Sequence, residues 1–188
     1  VKIDYFQSDK QELMKLYIDI LKDAAEYELM VNFHGNVIPK GWSRTYPNLV
    51  AMEAVKGAEA YIFDGSNFLP NAPRHHTILP FTRNVIGPMD YTPGIFELKM
   101  SHWDPAKTEI IHTTLAKQLA LYVTICSPVQ MAADLPESYE KRMDAFQFIK
   151  DVAVDWDDSK YLEAEPGDYI TVARKAKGTN NWFIGAIT

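Results

Sequence analysis

The chain opens with VKIDYFQSDKQELMKLYIDILKDAAEYELMVNFHG, residues 1–35, in which a strand, a helix and a second strand follow one another. β-Branched and aromatic residues predict a strand at 1–6 and another at 29–34, which Gly35 ends. Ser8 and Gln11 match a capping box, which predicts a helix that runs to about Tyr27. A strand, a helix and a strand in this order predict an α/β fold with a parallel sheet.

The alternation continues to about residue 154. The predicted elements are a segment at 49–62 that is ambiguous between helix and strand, loops at 64–76 and 87–94, strands at 77–82 and 129–133, and helices at 110–125 and 139–152. Beyond residue 154, strands at 155–165, 168–175 and 182–188 predict antiparallel β structure. We therefore expect one domain at 1–154 and the beginning of a second at 155–188.

Composition limits the function classes. The net charge is −6, which disfavours nucleic-acid binding because phosphate recognition depends on Lys and Arg. No apolar run approaches the ~18 residues of a membrane span. The one cysteine leaves no partner for an internal disulfide. Both ends read as strands, so we expect a piece of a longer protein whose missing start could hold a signal peptide.

Polar residues end several of the predicted strands. Asp4, His34 and Asp134 hold such positions, and the carboxyl ends of strands carry the active site in a βα barrel. Taken singly, each residue more often caps a turn. Lys2 and Asp4 are two apart, so their side chains share one face of the first strand.

Two carboxylates, Glu53 and Glu59, follow the predicted second strand. Their spacing is also common for ordinary surface residues. If they converge with Asp4, they suit glycoside hydrolysis, which needs two carboxyl groups. They equally suit a Ca²⁺ site built from oxygen ligands. The residues alone leave both readings open. Zinc-ligand spacing, a Gly-rich phosphate loop and a Gly-x-Ser-x-Gly elbow are all missing from the sequence.

Several strings resemble glycoside hydrolase family 97. They are VNFHG at 31–35, RTYPNL at 44–49, KGAE at 56–59 and LPFTRNVIGPMDYTPG at 79–94. The resemblance implies that 1–154 is the C-terminal part of a (β/α)8 TIM barrel, about its last five βα units, and that 155–188 begins a C-terminal β domain. The rest of the parent polypeptide would be needed to complete the barrel. Family resemblance also implies a bacterial enzyme that is periplasmic or secreted.

The resemblance also assigns roles to residues. The inverting α-glucosidases of the family carry a Glu base where this chain has Gly35, and its retaining, α-galactosidase-like members carry an Asp nucleophile where this chain has Asp4. The family's acid/base residue matches Glu59, and a ligand of its Ca²⁺ matches Glu53. Lys2 and His34 are expected to contact sugar hydroxyls.

These assignments imply a retaining, exo-acting enzyme that removes terminal α-galactosyl residues from a small-molecule or oligosaccharide substrate. Asp4 would form a covalent glycosyl-enzyme and Glu59 would act as acid and then base. Two alternatives are an inverting α-glucosidase of the same family, which Gly35 disfavours, and a catalytically inactive carbohydrate-binding homologue.

Overall fold

A three-stranded parallel sheet forms the centre of the N-terminal part. The computed structural model describes residues 1–188. Strands β1 (Lys2–Ile3), β2 (Val31–Phe33) and β3 (Leu49–Met52) pair in this order, each parallel to the next. A single parallel bridge from Met52 to Met89 adds a fourth position beside β3. The predicted α/β class with a parallel sheet is confirmed.

Helix α1 (Gln11–Glu26) joins β1 to β2, as predicted, but begins differently. The predicted capping box is wrong, because Lys10 is the N-cap residue and makes no side-chain cap. The Ser8 hydroxyl instead accepts a hydrogen bond from the Lys10 N–H at 3.2 Å. A serine that bonds the backbone two residues on forms a local turn, which competes with a cap three residues on.

The apolar face of α1 covers the parallel sheet. Tyr17 and Leu21 are fully buried in a cluster with Phe33, Leu49 and Met52. Complete burial of one such side chain contributes about 1.5–3 kcal/mol to stability. Tyr17 and Leu21 are four residues apart, about one helical turn, so both face the sheet.

Short helices fill residues 60–81, where the sequence predicts a loop and a strand. They are α2 (Ala60–Phe63), α3 (Gly65–Phe68), α4 (Ala72–Ile78) and a 3-10 turn at Leu79–Phe81. The predicted loop at 64–76 and strand at 77–82 are both wrong. Pro73 and Pro80 stand in the first turns of their helices. N–H groups in a first turn have no carbonyl partner within the helix, so proline, which lacks an N–H, is tolerated there.

Helices α5 (Leu115–Thr124), α6 (Pro136–Glu140) and α7 (Met143–Asp151) complete this part. The predicted strand at 129–133 is wrong, since these residues form no ladder. The Asp134 carboxylate beyond them accepts the N–H groups of Phe96 and Glu97, each at 2.7 Å. None of the helices combines the length and apolar character that crossing a bilayer requires.

The C-terminal residues form the predicted antiparallel sheet. Strands β4 (Trp156–Glu165), β5 (Tyr169–Ala176) and β6 (Trp182–Ile187) pair in that order. The sheet packs on α5 through Gly185, where an added Cβ would lie 2.8 Å from Val123 Cβ. The buried Arg174 also ties the sheet to α5, because its Nε donates to the Val123 carbonyl at 2.6 Å.

Candidate active site

The carboxyl ends of the parallel strands present the charged residues of the site. Asp4 follows β1, His34 follows β2 and Glu53 follows β3. Asp90 follows Met89, which bridges to β3. Parallel strands end at one edge of their sheet, so four residues that are distant in sequence lie side by side.

Asp4 and Glu59 approach each other at this edge. One oxygen of each carboxyl group and one ring nitrogen of His34 all lie within 4.8 Å of one another. Lys2 bridges the two carboxylates, with its Nζ 2.8 Å from Glu59 Oε1 and 3.6 Å from Asp4 Oδ2. Lys2 and Asp4 therefore share one face, as their two-residue spacing predicts.

The electrostatics at Lys2 favour its charged form. Partial burial lowers the pKa of the ammonium, but the hydrogen bond and charge of Glu59 raise it, as do the charges of Asp4 and Glu53. The attraction outweighs the burial, and the pKa of Lys2 lies above its ordinary value. Lys2 thus supplies a permanent positive charge between two acidic groups.

Glu53 is the most enclosed of the three carboxylates that line the cleft, with 15% of its side chain exposed. Burial raises its pKa, and this effect exceeds the opposing effects of a hydrogen bond from Gly35 and of His34. Its Oε2 accepts the Gly35 N–H at 2.8 Å. Its Oε1 lies 3.6 Å from His34 Nδ1 and accepts no hydrogen bond, so this oxygen can serve as a ligand.

Glu59 stands at the N-terminal end of α2, on a segment that backbone contacts hold in place. The Ala58 N–H donates to the Tyr91 carbonyl at 2.9 Å. An added Cβ on Gly57 would lie 3.0 Å from the same oxygen, so the two segments touch. Glu59 separates a cleft of about 640 Å³, which Asp4 and Glu53 also line, from a more apolar pocket of about 270 Å³.

The conformation of Asp4 depends on its neighbours. Its Oδ1 accepts the Tyr5 N–H at 2.7 Å, and Tyr5 has a φ of 71°, which a residue other than glycine rarely adopts. Gly35 also lies in the left-handed region, with a φ of 48°. A Cβ at Gly35 would lie 2.6 Å from Asp4 Oδ1 and 2.9 Å from the Tyr5 nitrogen. The present position of Asp4 therefore excludes a side chain at position 35.

His34 lies behind the carboxylates and does not line the cleft. Its side chain is fully buried, and its Nε2 is 2.7 Å from Asp90 Oδ2. Asn32 Nδ2 donates to the same oxygen at 2.6 Å. Sequence analysis missed Asp90 and Asn32. A polar residue inside the buried strand β2 was the available signal, because buried polar groups require partners.

The structure thus brings together the five residues that the sequence singles out, Lys2, Asp4, His34, Glu53 and Glu59. Asp134, the third polar residue at a predicted strand end, instead holds the 94–97 segment through its bonds to Phe96 and Glu97. Two carboxyl groups that face each other beside an open cleft have the arrangement that glycoside hydrolysis needs.

Family comparisons match both ends of the chain. The family described as Glycoside hydrolase 97 matches residues 1–55. The one described as Glycosyl-hydrolase 97 C-terminal, oligomerisation, matches residues 155–188.

Two curated relatives are similar over nearly the whole chain. A "Probable retaining alpha-galactosidase" of Streptomyces bingchenggensis is 40% identical over 98% of the chain and 26% of its own length. A "Retaining alpha-galactosidase" of Bacteroides thetaiotaomicron is 34% identical over 100% of the chain and 28% of its own length. The chain therefore spans about a quarter of each relative.

Solved structures share the fold. A family 97 enzyme from Pseudoalteromonas sp. strain K8, in complex with panose, is 44% identical, with a TM-score of 0.82 over 96% of the chain and 27% of that structure. A beta-arabinopyranosidase is 35% identical, with a TM-score of 0.89 over 100% of the chain and 29% of that structure.

Proposed function

The chain belongs to glycoside hydrolase family 97, and we propose that it carries the catalytic residues of a retaining α-galactosidase. The observation that carries the proposal is the convergence of Asp4 and Glu59, with oxygens within 4.8 Å. Carboxyl groups about 5–5.5 Å apart suit a double displacement, whereas about 6.5–9.5 Å suits inversion. The names of the two curated relatives support the same reaction and substrate.

In the first step, Asp4 attacks the anomeric carbon of a terminal α-galactoside. The bond from that carbon to the leaving oxygen breaks, and Glu59 gives its proton to this oxygen. The product of this step is a β-galactosyl ester on Asp4. The Tyr5 N–H, which donates to Asp4 Oδ1, directs the other oxygen of the nucleophile toward the sugar.

In the second step, Glu59 takes a proton from water, and the water oxygen attacks the anomeric carbon from the face that the leaving group vacated. The ester bond to Asp4 breaks and α-galactose leaves. The Lys2 ammonium stabilises the carboxylate form of Glu59, which this step needs. Lys2 also lies close enough to the reacting groups to contact a sugar hydroxyl.

Calcium is part of the proposal. Ca²⁺ takes oxygen ligands, and Glu53 offers Oε1, a carboxylate oxygen that accepts no hydrogen bond, beside Asp4 and Glu59. Glu53 would hold the ion together with ligands from outside this chain. When bound, Ca²⁺ orients sugar hydroxyls and offsets the charge of the converging carboxylates.

The proposal concerns a longer polypeptide. The chain spans about a quarter of its curated relatives, and three paired strands leave the edge of β1 open. We therefore infer that 1–154 is part of a (β/α)8 barrel that further chain completes. A periplasmic or secreted location in bacteria belongs to the proposal on family resemblance alone.

Substrate choice has a second candidate. A solved relative 44% identical to the chain was studied with panose, which favours an α-glucoside as the alternative substrate. The arabinopyranosidase relative makes a β-arabinopyranoside a third sugar worth assay. Gly35 stands where the inverting members of the family carry a Glu base. Because glycine has no carboxylate, this position favours the retaining reaction over the inverting one.

The test of the nucleophile uses Asp4→Ala in the complete polypeptide. Hydrolysis of p-nitrophenyl α-galactoside should stop, circular dichroism should stay unchanged, and added azide should restore p-nitrophenol release with formation of β-galactosyl azide. Asp9→Ala, which alters an exposed aspartate outside the site, is the matched control and should keep full activity. Normal turnover by Asp4→Ala would refute the assignment.

A further inference from the structure

Phe63 is a large apolar residue that stands in solvent on the wall of the cleft. It is 74% exposed and lines the same space as Asp4 and Glu59. Its ring belongs to none of the apolar clusters of the core, so packing does not account for an aromatic residue here. Tyr5 and Ile38 are also exposed and line the same cleft. Binding pockets are lined mainly by apolar and aromatic side chains.

The short helix α2 places Phe63 next to the acid/base residue. Glu59 immediately precedes the helix, in helical conformation, and Phe63 is its last residue. The Ile62 N–H donates to the Glu59 carbonyl at 3.0 Å, so the intervening turn is closed. Residues four apart on a helix share one face and lie about 6 Å apart along its axis. Phe63 is therefore about one helical turn beyond Glu59 on the cleft side of α2.

The backbone on each side of Phe63 is held in place. The Asp64 carboxylate forms an ion pair with Lys56, which also lines the cleft. The Ile62 carbonyl accepts a hydrogen bond from Lys107 Nζ at 2.6 Å. An exposed ring on a fixed backbone loses little freedom when it binds a ligand, so more of its contact energy appears as affinity.

The proposed reaction directs the leaving group toward Phe63. Glu59 protonates the leaving oxygen, which must come within about 2.6–3.2 Å of its carboxyl group. The rest of the leaving group extends from that oxygen, away from the anomeric carbon that Asp4 attacks. Asp4, Glu59 and Phe63 all line one cleft, whereas Asp4 does not line the apolar pocket on the other side of Glu59. A substrate held between the two carboxyl groups can therefore reach Phe63 within one continuous space.

We propose that Phe63 is a specificity-determining residue whose ring packs against the leaving group of the substrate. This inference rests on the proposed function and names the class of leaving group that the cleft prefers, which is a ring, either a second sugar or an aryl group. The C–H face of a pyranose and the face of an aryl ring both offer apolar surface that an aromatic side chain can cover. A leaving group without a ring gains nothing from this contact.

Three substrates test this preference in the complete polypeptide. Melibiose releases a sugar, p-nitrophenyl α-galactoside releases an aryl ring, and α-galactosyl fluoride releases only fluoride. The measured quantity is kcat/KM, which reports the step that forms the glycosyl-enzyme. Phe63→Ala should lower kcat/KM by about 3- to 10-fold for the two substrates whose leaving group is a ring. For α-galactosyl fluoride the change should stay within about 2-fold, because no ring is lost from contact.

The pattern across the substrates separates this contact from other effects. Phe63→Tyr keeps the ring and should restore kcat/KM for both ring-bearing substrates. Equal losses for all three substrates in Phe63→Ala would make Phe63 a structural residue. A loss for melibiose alone would mean that the variant displaces Glu59, because p-nitrophenolate and fluoride leave with little help from an acid. Each of these two results would overturn the proposal, as would no loss at all.

Ile62→Ala is the matched control. Ile62 is the neighbouring exposed apolar residue, and it lines the apolar pocket instead of the cleft. Its truncation should leave kcat/KM for all three substrates unchanged. A selective loss for the ring-bearing substrates in Ile62→Ala, and not in Phe63→Ala, would place the leaving group in the apolar pocket and overturn the proposal. An unaltered protein that hydrolyses none of the three substrates would end the proposed function, whereas a failure confined to the Phe63→Ala comparison would end this inference alone.

Discussion

Gly35→Ala tests the steric relation between Asp4 and position 35. The added Cβ would lie 2.6 Å from Asp4 Oδ1, whereas ordinary contacts begin at 3.4 Å. The carboxylate must therefore move by about 0.8 Å, the difference between these distances, unless the backbone shifts. Misplacement of a reacting group by about 1 Å can lower a rate by about 100-fold. We expect kcat/KM for p-nitrophenyl α-galactoside to fall by about that factor.

Backbone strain adds a second, separable effect. Gly35 has a φ of 48°, and an alanine there destabilises the fold by about 1–2 kcal/mol. Gly41→Ala is the matched control, because Gly41 has a φ of 82° but no atom within 4 Å of an added Cβ. Both variants should unfold at lower denaturant concentration, and only Gly35→Ala should lose activity. Full activity in Gly35→Ala would refute the idea that Asp4 reacts from the conformation described.

Three further perturbations test other parts of the account. Burial raises the pKa of Glu53, so the folded state binds that proton more tightly than the unfolded chain. Without calcium, the stability that Glu53 contributes should be complete below the ordinary pKa of a glutamate and should decrease as pH rises through the raised pKa. Thermal unfolding should show this decrease in the unaltered protein and not in Glu53→Gln. Removal of calcium with EDTA should abolish hydrolysis, and calcium titration should need at least about 10-fold more ion in Glu53→Gln; activity that persists in EDTA would exclude the metal. Gly185→Ala places a Cβ 2.8 Å from Val123 Cβ. Urea unfolding should show that the free energy of unfolding falls by about 1–3 kcal/mol, while kcat/KM stays unchanged. An unchanged unfolding midpoint would contradict the packing of the C-terminal sheet on α5.

Sequence periodicity was sufficient for the elements that bury a regular apolar face. The order strand, helix, strand predicted the parallel pairing of β1 and β2, and the run of strands after residue 154 predicted the antiparallel sheet. The predicted loop at 64–76, which contains Gly65 and Pro73, and the predicted strand at 77–82, which contains Pro80, were both wrong. Each of these three residues stands in the first turn of a short helix, a place where these residues are tolerated.

Site residues that follow strands could be predicted from the sequence. The buried residues that lie behind the cleft wall could not. Asp4 and His34 were found from their positions after apolar strands. Glu53 and Glu59 were found as a carboxylate pair, and only the family resemblance gave each of them a separate role. Asp90 lies in a predicted loop, and the sequence pattern does not show which residues contact it. Its hydrogen bonds to His34 and Asn32 join residues more than 50 positions apart, and such pairings depend on the register of the whole sheet.

The stereochemistry of the first product tests the central claim most directly. The complete polypeptide, with calcium, would hydrolyse p-nitrophenyl α-galactoside while proton NMR follows the anomeric signals before mutarotation. The account predicts that α-galactose appears first, because two displacements, at Asp4 and then by water that Glu59 activates, retain configuration. Initial release of β-galactose would contradict it, since a single displacement leaves no role for Asp4 as nucleophile.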